Sequence, residues 1–260
     1  MGYYKKLAPA GWMAEQPDLF KNLTGNCTGS TPVGSNPLSG RMVAVYKPQG
    51  LASYAVVRRI RRATKIDKVG HAGTLDRFAE GILVIGIGRT ATRRLGELLH
   101  GDKEYLAEVQ LGIVTDTYDP TGRIIEENSF TMPGKEVIET VLQRFAGEIM
   151  QLPPPFSALK VNGVRMHKLA RKGIEPKRKP RRVVISEIEL IKLVSDGFEM
   201  RVVCSHGTYI RSLAYDIGRA LGCGAHLKRL VRTRVGSYTL DQAVDLDDFL
   251  KMHGTSRDPA

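Results

Sequence analysis

The sequence lacks the features that mark several large classes of protein. Its 260 residues include three cysteines, which are too few for a disulfide framework and fit a reducing compartment. It has no CxxC, HxH or HExxH motif, so a metal site is not expected. The longest apolar run, Gly81 to Gly88, is far shorter than the roughly 20 residues that a membrane-spanning helix requires.

Acidic residues are scarce where basic residues cluster. The chain has 39 Lys and Arg against 27 Asp and Glu, a net charge of +12. Residues 57–77 carry a net charge of +5, residues 160–182 carry +9 and residues 219–234 carry +5, which leaves −7 for the rest of the chain. This concentration of positive charge favours nucleic acid as the partner, with ordinary solvated faces as the alternative.

The composition divides the chain into three regions. Residues 1–40 contain a stretch rich in Gly, Ser, Thr, Asn and Pro and predict a flexible N-terminal extension. Residues 41–242 predict one folded domain, and residues 243–260 a short helix and tail. Strands and helices mix without a regular βαβ repeat, which favours an α+β fold with a mixed, mainly antiparallel sheet flanked by helices.

Hydrophobic periodicity and capping residues predict individual elements. Strands are expected at 42–46, 105–111, 186–194 and 199–205, the last two joined by an Asp-Gly turn. Helices are expected after a Ser53 cap, after a Thr90 cap up to His100, and at 135–146, 210–221 and about 246–252.

The loop from Gly70 to Asp76 is the first candidate for chemistry. Glycines on both sides of His71 let the backbone turn sharply and approach a ligand closely. Asp76 is a single carboxylate beside a basic cluster, which favours its charged form as a nucleophile or base. No second carboxylate lies nearby in sequence, which argues against paired-acid glycoside hydrolysis. The alternative is that Asp76 caps a helix or pairs with Arg77.

Three other segments carry candidate residues. Tyr209 and Arg211 lie where a predicted strand gives way to a helix, and could stack on a base and pair with a carboxylate or phosphate. The alternative is a core tyrosine and a surface arginine. Tyr105 enters a strand, where it is either packing or a stacking platform. A proline-rich segment then leads through Lys160 into the most basic stretch, which suggests a surface that follows a phosphate backbone.

Together these segments resemble the TruB family of tRNA pseudouridine synthases from about Met42 to Leu240. The match is specific because several motifs occur in order at the family's spacing. They are Val45–Gly50 with its Lys47-Pro48 pair; Lys68–Asp76 with Ala79–Leu83; Lys103–Tyr105 with Leu111–Thr117 and Asp119–Gly122; and His206–Arg211 with Gly222–His226 and Leu230–Thr233.

The resemblance implies the pseudouridine synthase fold with a central active-site cleft, and isomerisation of uridine 55 in the T loop of tRNA. It implies no cofactor and no metal, because the reaction involves neither redox change nor group transfer. The family's catalytic aspartate, its ion-paired arginine and its base-stacking tyrosine fall on Asp76, Arg211 and Tyr105. Substrate-binding roles are expected for His71, which helps to hold the everted loop, and for Tyr209, Leu230, Lys47, Gly73, Lys160 and Arg165.

The resemblance also predicts a monomer that binds the T arm and no membrane, located in the cytoplasm, or in an organelle if residues 1–40 are a transit peptide. This sequence departs from the family pattern at Arg77, where proline is common, and at Tyr54, where a small polar residue is usual. About 20 residues follow Leu240, too few for the RNA-binding PUA domain that many relatives carry.

Three alternatives remain at this stage. The first is a catalytically weak RNA-binding protein or tRNA folding chaperone on the same scaffold. The second is a synthase that acts on another RNA, although guide-directed relatives carry a PUA domain. The third is a metal-dependent nuclease, which would need clustered carboxylates. Within the favoured reaction, Asp76 either attacks C1′ or removes a ribose proton to give a glycal.

Overall fold

The computed structural model describes residues 36–157, 160–161, 164–166 and 178–254. Five α-helices lie in these ranges: α1 Ser53–Thr64, α2 Gly88–His100, α3 Lys135–Gln143, α4 Ile210–Ala220 and α5 Leu246–His253. The strands are β1 Met42–Lys47, β2 Val69–His71, β3 Glu80–Ile87, β4 Lys103–Leu111, β5 Ile113–Thr115, β6 Ile124–Glu127, β7 Gly147–Gln151, β8 Lys160–Val161, β9 Val164–Arg165, β10 Arg181–Val194, β11 Gly197–Cys204, β12 Ala225–Val235, β13 Tyr238–Thr239 and β14 Val244–Asp245.

Ten of these strands form one mixed sheet. Eight follow the order β14-β1-β3-β12-β4-β11-β10-β7, with β2 added on β3 and β13 on β12. The β1–β14 and β3–β12 pairs are parallel, and the other pairs are antiparallel. The predicted α+β fold with a mixed, mainly antiparallel sheet is therefore confirmed.

The helices pack on the sheet around three core clusters, of which the smallest joins α2 to β1 and β3 through Leu95. Strand β4 alternates buried and half-buried residues, so one face packs into a core shared with β11, α3 and α4. At the other end, α1 and α5 pack over β1 and β3 around Val45, Ile60 and Phe249. Each helix thus buries an apolar stripe against the sheet, as its hydrophobic spacing requires.

A glycine lets two central strands approach closely. Gly81 in β3 has φ of +109°, and a Cβ there would lie 2.3 Å from the backbone oxygen of Arg232 in β12. Any other residue would clash with that backbone. This close approach places Arg232 beside the loop that carries Asp76.

Several predicted boundaries were wrong. Ser53 is the first residue of α1, not its cap, and its hydroxyl instead bonds Leu75. Thr90 lies inside α2, which begins two residues earlier at Gly88. Helix α3 ends at Gln143, three residues before the predicted end.

Strands β3 and β12 were missed, although they lie next to each other in the centre of the sheet. Strand β3 is apolar on both faces, because both are covered, so it shows no alternation. Strand β12 contains three arginines and a lysine, a composition typical of a solvent-exposed segment. Their partners on neighbouring strands are visible only in the structure.

The ends of the described chain contact the domain. Asn36 donates from its side-chain amide to the Thr64 oxygen over 2.9 Å, and Gly40 donates its N–H to the Ile87 oxygen over 2.7 Å. Residues 1–35, most of the predicted extension, lie outside the described residues. Strand β14 pairs with β1, so the segment after residue 242 is joined to the sheet.

Within the described ranges, no helix has both the length and the apolar character needed to cross a membrane.

Candidate active site

The central feature of the site is an ion pair between Asp76 and Arg211. Asp76 lies in the loop between β2 and β3, and Arg211 lies in the first turn of α4. Arg211 Nε donates to Asp76 Oδ2 over 2.8 Å. The arginine side chain is 5% exposed and the aspartate side chain 39% exposed, so the carboxylate remains open to solvent while its counterion is buried. The alternative in which Asp76 pairs with Arg77 is wrong, because Arg77 Nε donates to the Gly50 oxygen.

Every nitrogen of the Arg211 guanidinium group has a partner. Beyond Asp76, Nη1 donates to the Thr117 oxygen over 2.9 Å and Nη2 to the Phe156 oxygen over 3.0 Å. Nη1 also lies 3.4 Å from Asp119 Oδ2. Because the guanidinium group is planar and its partners come from separate segments, the direction of its bond to Asp76 is fixed.

Asp119 is a buried carboxylate at the ion pair to which the sequence reasoning gave no role. Its side chain is 7% exposed, and its Oδ2 faces Arg211. Its Oδ1 accepts from Thr117 Oγ1 over 2.8 Å and from the Thr121 N–H and hydroxyl over 2.9 and 2.5 Å. One buried arginine therefore serves two carboxylates, a fixed one and an open one. The signal was present in the Asp119–Gly122 motif, to which no role was given.

Tyr105 and Leu230 lie on adjacent strands, β4 and β12, and pack into the same core cluster as Leu75 and Phe78. Leu75 directly precedes Asp76, so this cluster underlies the reactive loop. Burial raises the pKa of Tyr105, with Arg232 acting in the opposite direction, so its phenol is neutral near pH 7. The structure thus brings Tyr105 close enough to Asp76 for its charge to act on the phenol, and it places Leu230 in the same core cluster; their contacts with a base stay predictions.

Arg232 is a second residue that the sequence reasoning missed. It is 1% exposed, and its Nε donates to the Ile82 oxygen over 2.8 Å. Its Nη2 donates to the Gly73 oxygen over 3.2 Å, and its Nη1 to the Thr74 oxygen over 3.5 Å. Gly73 has φ of +82°, which favours glycine. Arg232 therefore holds the loop just before Asp76 in its turn.

His71 and Lys47 lie around this arginine. Burial and then the Arg232 charge lower the pKa of His71, so its ring is neutral near pH 7. Lys47 is 0% exposed and donates to the Pro48 and Leu51 oxygens over 2.9 and 2.8 Å. Its amine therefore holds the turn after β1, and its role in substrate binding stays a prediction.

Lys47 gives the fold a measurable pH dependence. Burial and then Arg232 lower its pKa from 10.5 to about 8. Between these values the unfolded chain holds a proton that the folded chain lacks, so the free energy of unfolding rises with pH. Relative to Lys47→Met, wild type should gain up to about 1.4 kcal/mol per pH unit in this window. Urea unfolding of both proteins at pH 7 to 10 measures this gain, and a constant difference would contradict it.

Tyr209 lies just before α4, where a buried glutamine holds its backbone. Gln151 accepts from the Tyr209 N–H over 2.8 Å and donates to the Tyr209 oxygen over 3.0 Å. Burial raises the pKa of the Tyr209 phenol, and the charges of Arg211 and Asp76 both act on it. The structure therefore brings Tyr209 to the ion pair. Gln151 was not singled out, because its partner is 58 residues away in sequence.

The basic segments differ in how much charge they present. The expectation that residues 219–234 form an open basic surface is wrong. Arg219 pairs with Glu126, Lys228 with Glu108 and Asp196, and Arg229 with Glu80, while Arg232 is buried. By contrast, Arg58, Arg59 and Arg62 of α1 are exposed, and within the described chain they form no ion pair. Lys160 and Arg165 are backbone partners in the β8–β9 hairpin, and their side chains lie outside the description.

Family models match most of the chain. A model described as TruB family pseudouridylate synthase, N-terminal domain, matches residues 61–210. A model described as tRNA pseudouridylate synthase B, C-terminal domain, matches residues 211–258. The two models meet at Arg211, so the ion pair joins residues from both.

Curated relatives agree with these models. The tRNA pseudouridine synthase B of Francisella philomiragia is 48% identical over 209 residues, which cover 80% of this chain and 68% of the relative. The protein of the same name from Bordetella avium is 48% identical over 213 residues, covering 81% and 86%. That from Clostridium tetani is 43% identical over 207 residues, covering 80% and 71%.

Solved structures share the fold. A crystal structure of a Cbf5–Nop10–Gar1 complex matches with a TM-score of 0.65 and 31% identity, covering 82% of this chain and 54% of that one. An H/ACA ribonucleoprotein bound to a substrate RNA containing 2′-deoxyuridine matches with a TM-score of 0.60 and 28% identity, covering 81% and 52%. The chain thus spans about half the length of these structures. The matches confirm the predicted pseudouridine synthase fold, and the chain belongs to the TruB family of pseudouridylate synthases.

Proposed function

We propose that this protein isomerises uridine 55 in the T loop of tRNA to pseudouridine. The observation that carries the proposal is the Asp76–Arg211 ion pair, with its open carboxylate and buried counterion, in a chain of the TruB family. The curated relatives are named tRNA pseudouridine synthase B, which supports tRNA as the substrate class.

The reaction rearranges bonds without changing composition. The N1–C1′ bond breaks and its electron pair leaves with the uracil. Asp76 either forms an ester at C1′ or removes the C2′ proton to give a glycal. After the base turns over, C5 bonds to C1′ as the ester's C1′–O bond breaks or, in the glycal route, as C2′ regains its proton from Asp76. The C5 proton is then lost, and N1 gains a proton. Arg211 stabilises the negative charge of Asp76 and orients it towards the ribose in either route.

The target base must leave its stack before it can react. Flipping a base costs a few kcal/mol, which stacking and shape contacts in the pocket offset. We assign this work to Tyr105, Tyr209 and Leu230, and to the neutral ring of His71. Gly73 keeps the loop backbone close to the substrate.

Phosphate contacts would come from two of the basic segments. We assign them to residues 57–77 and to the 160–182 segment, including Lys160 and Arg165. Such contacts make binding strongly dependent on salt. A monomer that binds the T arm of one tRNA in the cytoplasm is the simplest arrangement consistent with this assignment.

Carbodiimide mapping of an unmodified tRNA transcript tests the proposal. Incubation with the protein should produce one pseudouridine, at position 55, without added metal or cofactor. A transcript with cytidine at position 55 is the matched control and should stay unmodified. Binding without conversion would favour the folding chaperone instead, and conversion at another position would favour a different RNA substrate.

A further inference from the structure

An exposed tyrosine stands at the start of α1, beside the reactive loop. Tyr54 is 64% exposed, the most exposed tyrosine or phenylalanine among the residues that the structure describes. A ring this open contributes little to the core, and its hydrophobic area stays in contact with water. The proposed function gives Tyr54 no role.

Two sets of hydrogen bonds place Tyr54 beside Asp76. Ser53, the preceding residue, accepts from the Leu75 N–H and donates to the Leu75 oxygen, each over 2.9 Å. On the other side of Asp76, the Gly50 N–H donates to the Arg77 oxygen over 2.7 Å. The start of α1 is therefore fastened to both neighbours of the catalytic aspartate.

Positive charge extends from this point in two directions. Tyr54, Arg58 and Arg62 recur every four residues, so they share one exposed face of α1, about 12 Å long. We call these three residues the α1 stripe. Helix α1 contains four arginines and no acidic residue. Arg77 is exposed, and its side chain donates to the Gly50 oxygen through Nε, so both Nη groups are available for a phosphate.

We propose that the α1 stripe and Arg77 bind T-loop nucleotides next to the flipped uridine, with Tyr54 stacking on a base and the arginines contacting phosphates. The inference rests on the proposed function and deepens it, because it adds a stacking contact by Tyr54 to the phosphate contacts assigned to residues 57–77. An aromatic ring flanked by unpaired cations matches a single-stranded nucleic acid, because every base has a stacking face and every nucleotide a negative charge. An acidic partner surface would use only the charges, and an apolar one only the ring.

Binding of a T-arm stem-loop RNA, measured by filter retention at several salt concentrations, tests this site. Tyr54→Ala should raise Kd about 5- to 100-fold, and Tyr54→Phe should stay within about twofold of wild type. Arg77→Ala should raise Kd and lower the salt slope by about one. For Tyr54→Ala and Tyr54→Phe, single-turnover rates at saturating RNA should stay within about threefold, because the Tyr54 ring stacks on a base other than the reacting one.

Helix α3 supplies the matched controls, since it packs on β10 at the other end of the sheet. Val137→Ala and Lys135→Ala remove an exposed apolar side chain and an exposed charge there, and should leave Kd unchanged. Unchanged binding by Tyr54→Ala, or equal losses for Tyr54→Ala and Tyr54→Phe, would overturn stacking. If wild type makes pseudouridine 55 while Tyr54→Ala binds normally, only this inference fails; if wild type makes none, the proposed function fails.

Discussion

Replacing Asp76 with asparagine should abolish pseudouridine formation and leave tRNA binding within about threefold of wild type. The amide has the shape of the carboxylate, and its oxygen can still accept from Arg211. It cannot attack C1′ or remove a ribose proton, so both routes lose their first step. We expect the single-turnover rate to fall by more than about 10³-fold. Carbodiimide mapping gives the rate, and filter binding gives Kd.

Asp196→Asn is the matched control for this variant. Asp196 is a partly exposed carboxylate in the turn between β10 and β11, where it pairs with Lys228. This change should leave both the rate and Kd unchanged. A rate for Asp76→Asn within tenfold of wild type would contradict the catalytic role. Loss of tRNA binding together with activity would contradict the expectation that the change affects chemistry alone.

Arg211→Ala should reduce turnover by more than about 100-fold, whereas Lys160→Ala should mainly weaken binding. Removing Arg211 frees the open carboxylate of Asp76 and leaves the buried Asp119 without its counterion. An uncompensated buried charge costs about 3–5 kcal/mol, so the unfolding free energy should fall as well. Lys160→Ala should keep the saturating rate and lower the salt slope by about one.

Arg211→Lys separates orientation from charge. A lysine keeps the positive charge but cannot bond Asp76, Thr117 and Phe156 together in one plane. It should therefore restore part of the stability and little of the turnover. Single-turnover kinetics and urea unfolding measure the two effects separately.

Equal changes in rate and Kd for Arg211→Ala and Lys160→Ala would contradict the division between chemistry and binding.

Local sequence patterns were enough to predict the helices and strands that have one buried face and one exposed face. Strand β4 alternates along its whole length, and α4 has apolar spacing and a following Gly222 that indicate its end. These signals arise because one face of each element is buried and the other is exposed to solvent. They fail at β3, where both faces are covered and no contrast remains.

The sequence motifs predicted several residues of the site, but they did not predict which residues contact one another. Asp76 and Arg211 were identified from short motifs, although 135 residues separate them. Asp119, Gln151 and Arg232 were missed because each acts on a partner far away in sequence. Arg232 also illustrates why the net charge of a segment does not predict a basic surface. It belongs to a basic segment, yet its side chain is buried and donates to backbone oxygens.

The sequence alone determined the class of the protein: a cysteine-poor, basic α+β chain with a lone acid in a glycine-bounded loop. It did so because residue type and short spacing decide which groups are charged and where the backbone can turn. Only the tertiary structure decided which cations remain open to a polyanion and which are neutralised inside. Whether a cation is exposed or neutralised depends on which strands become neighbours. An ion pair or a buried guanidinium group needs partners within a few ångströms, whatever their separation along the chain.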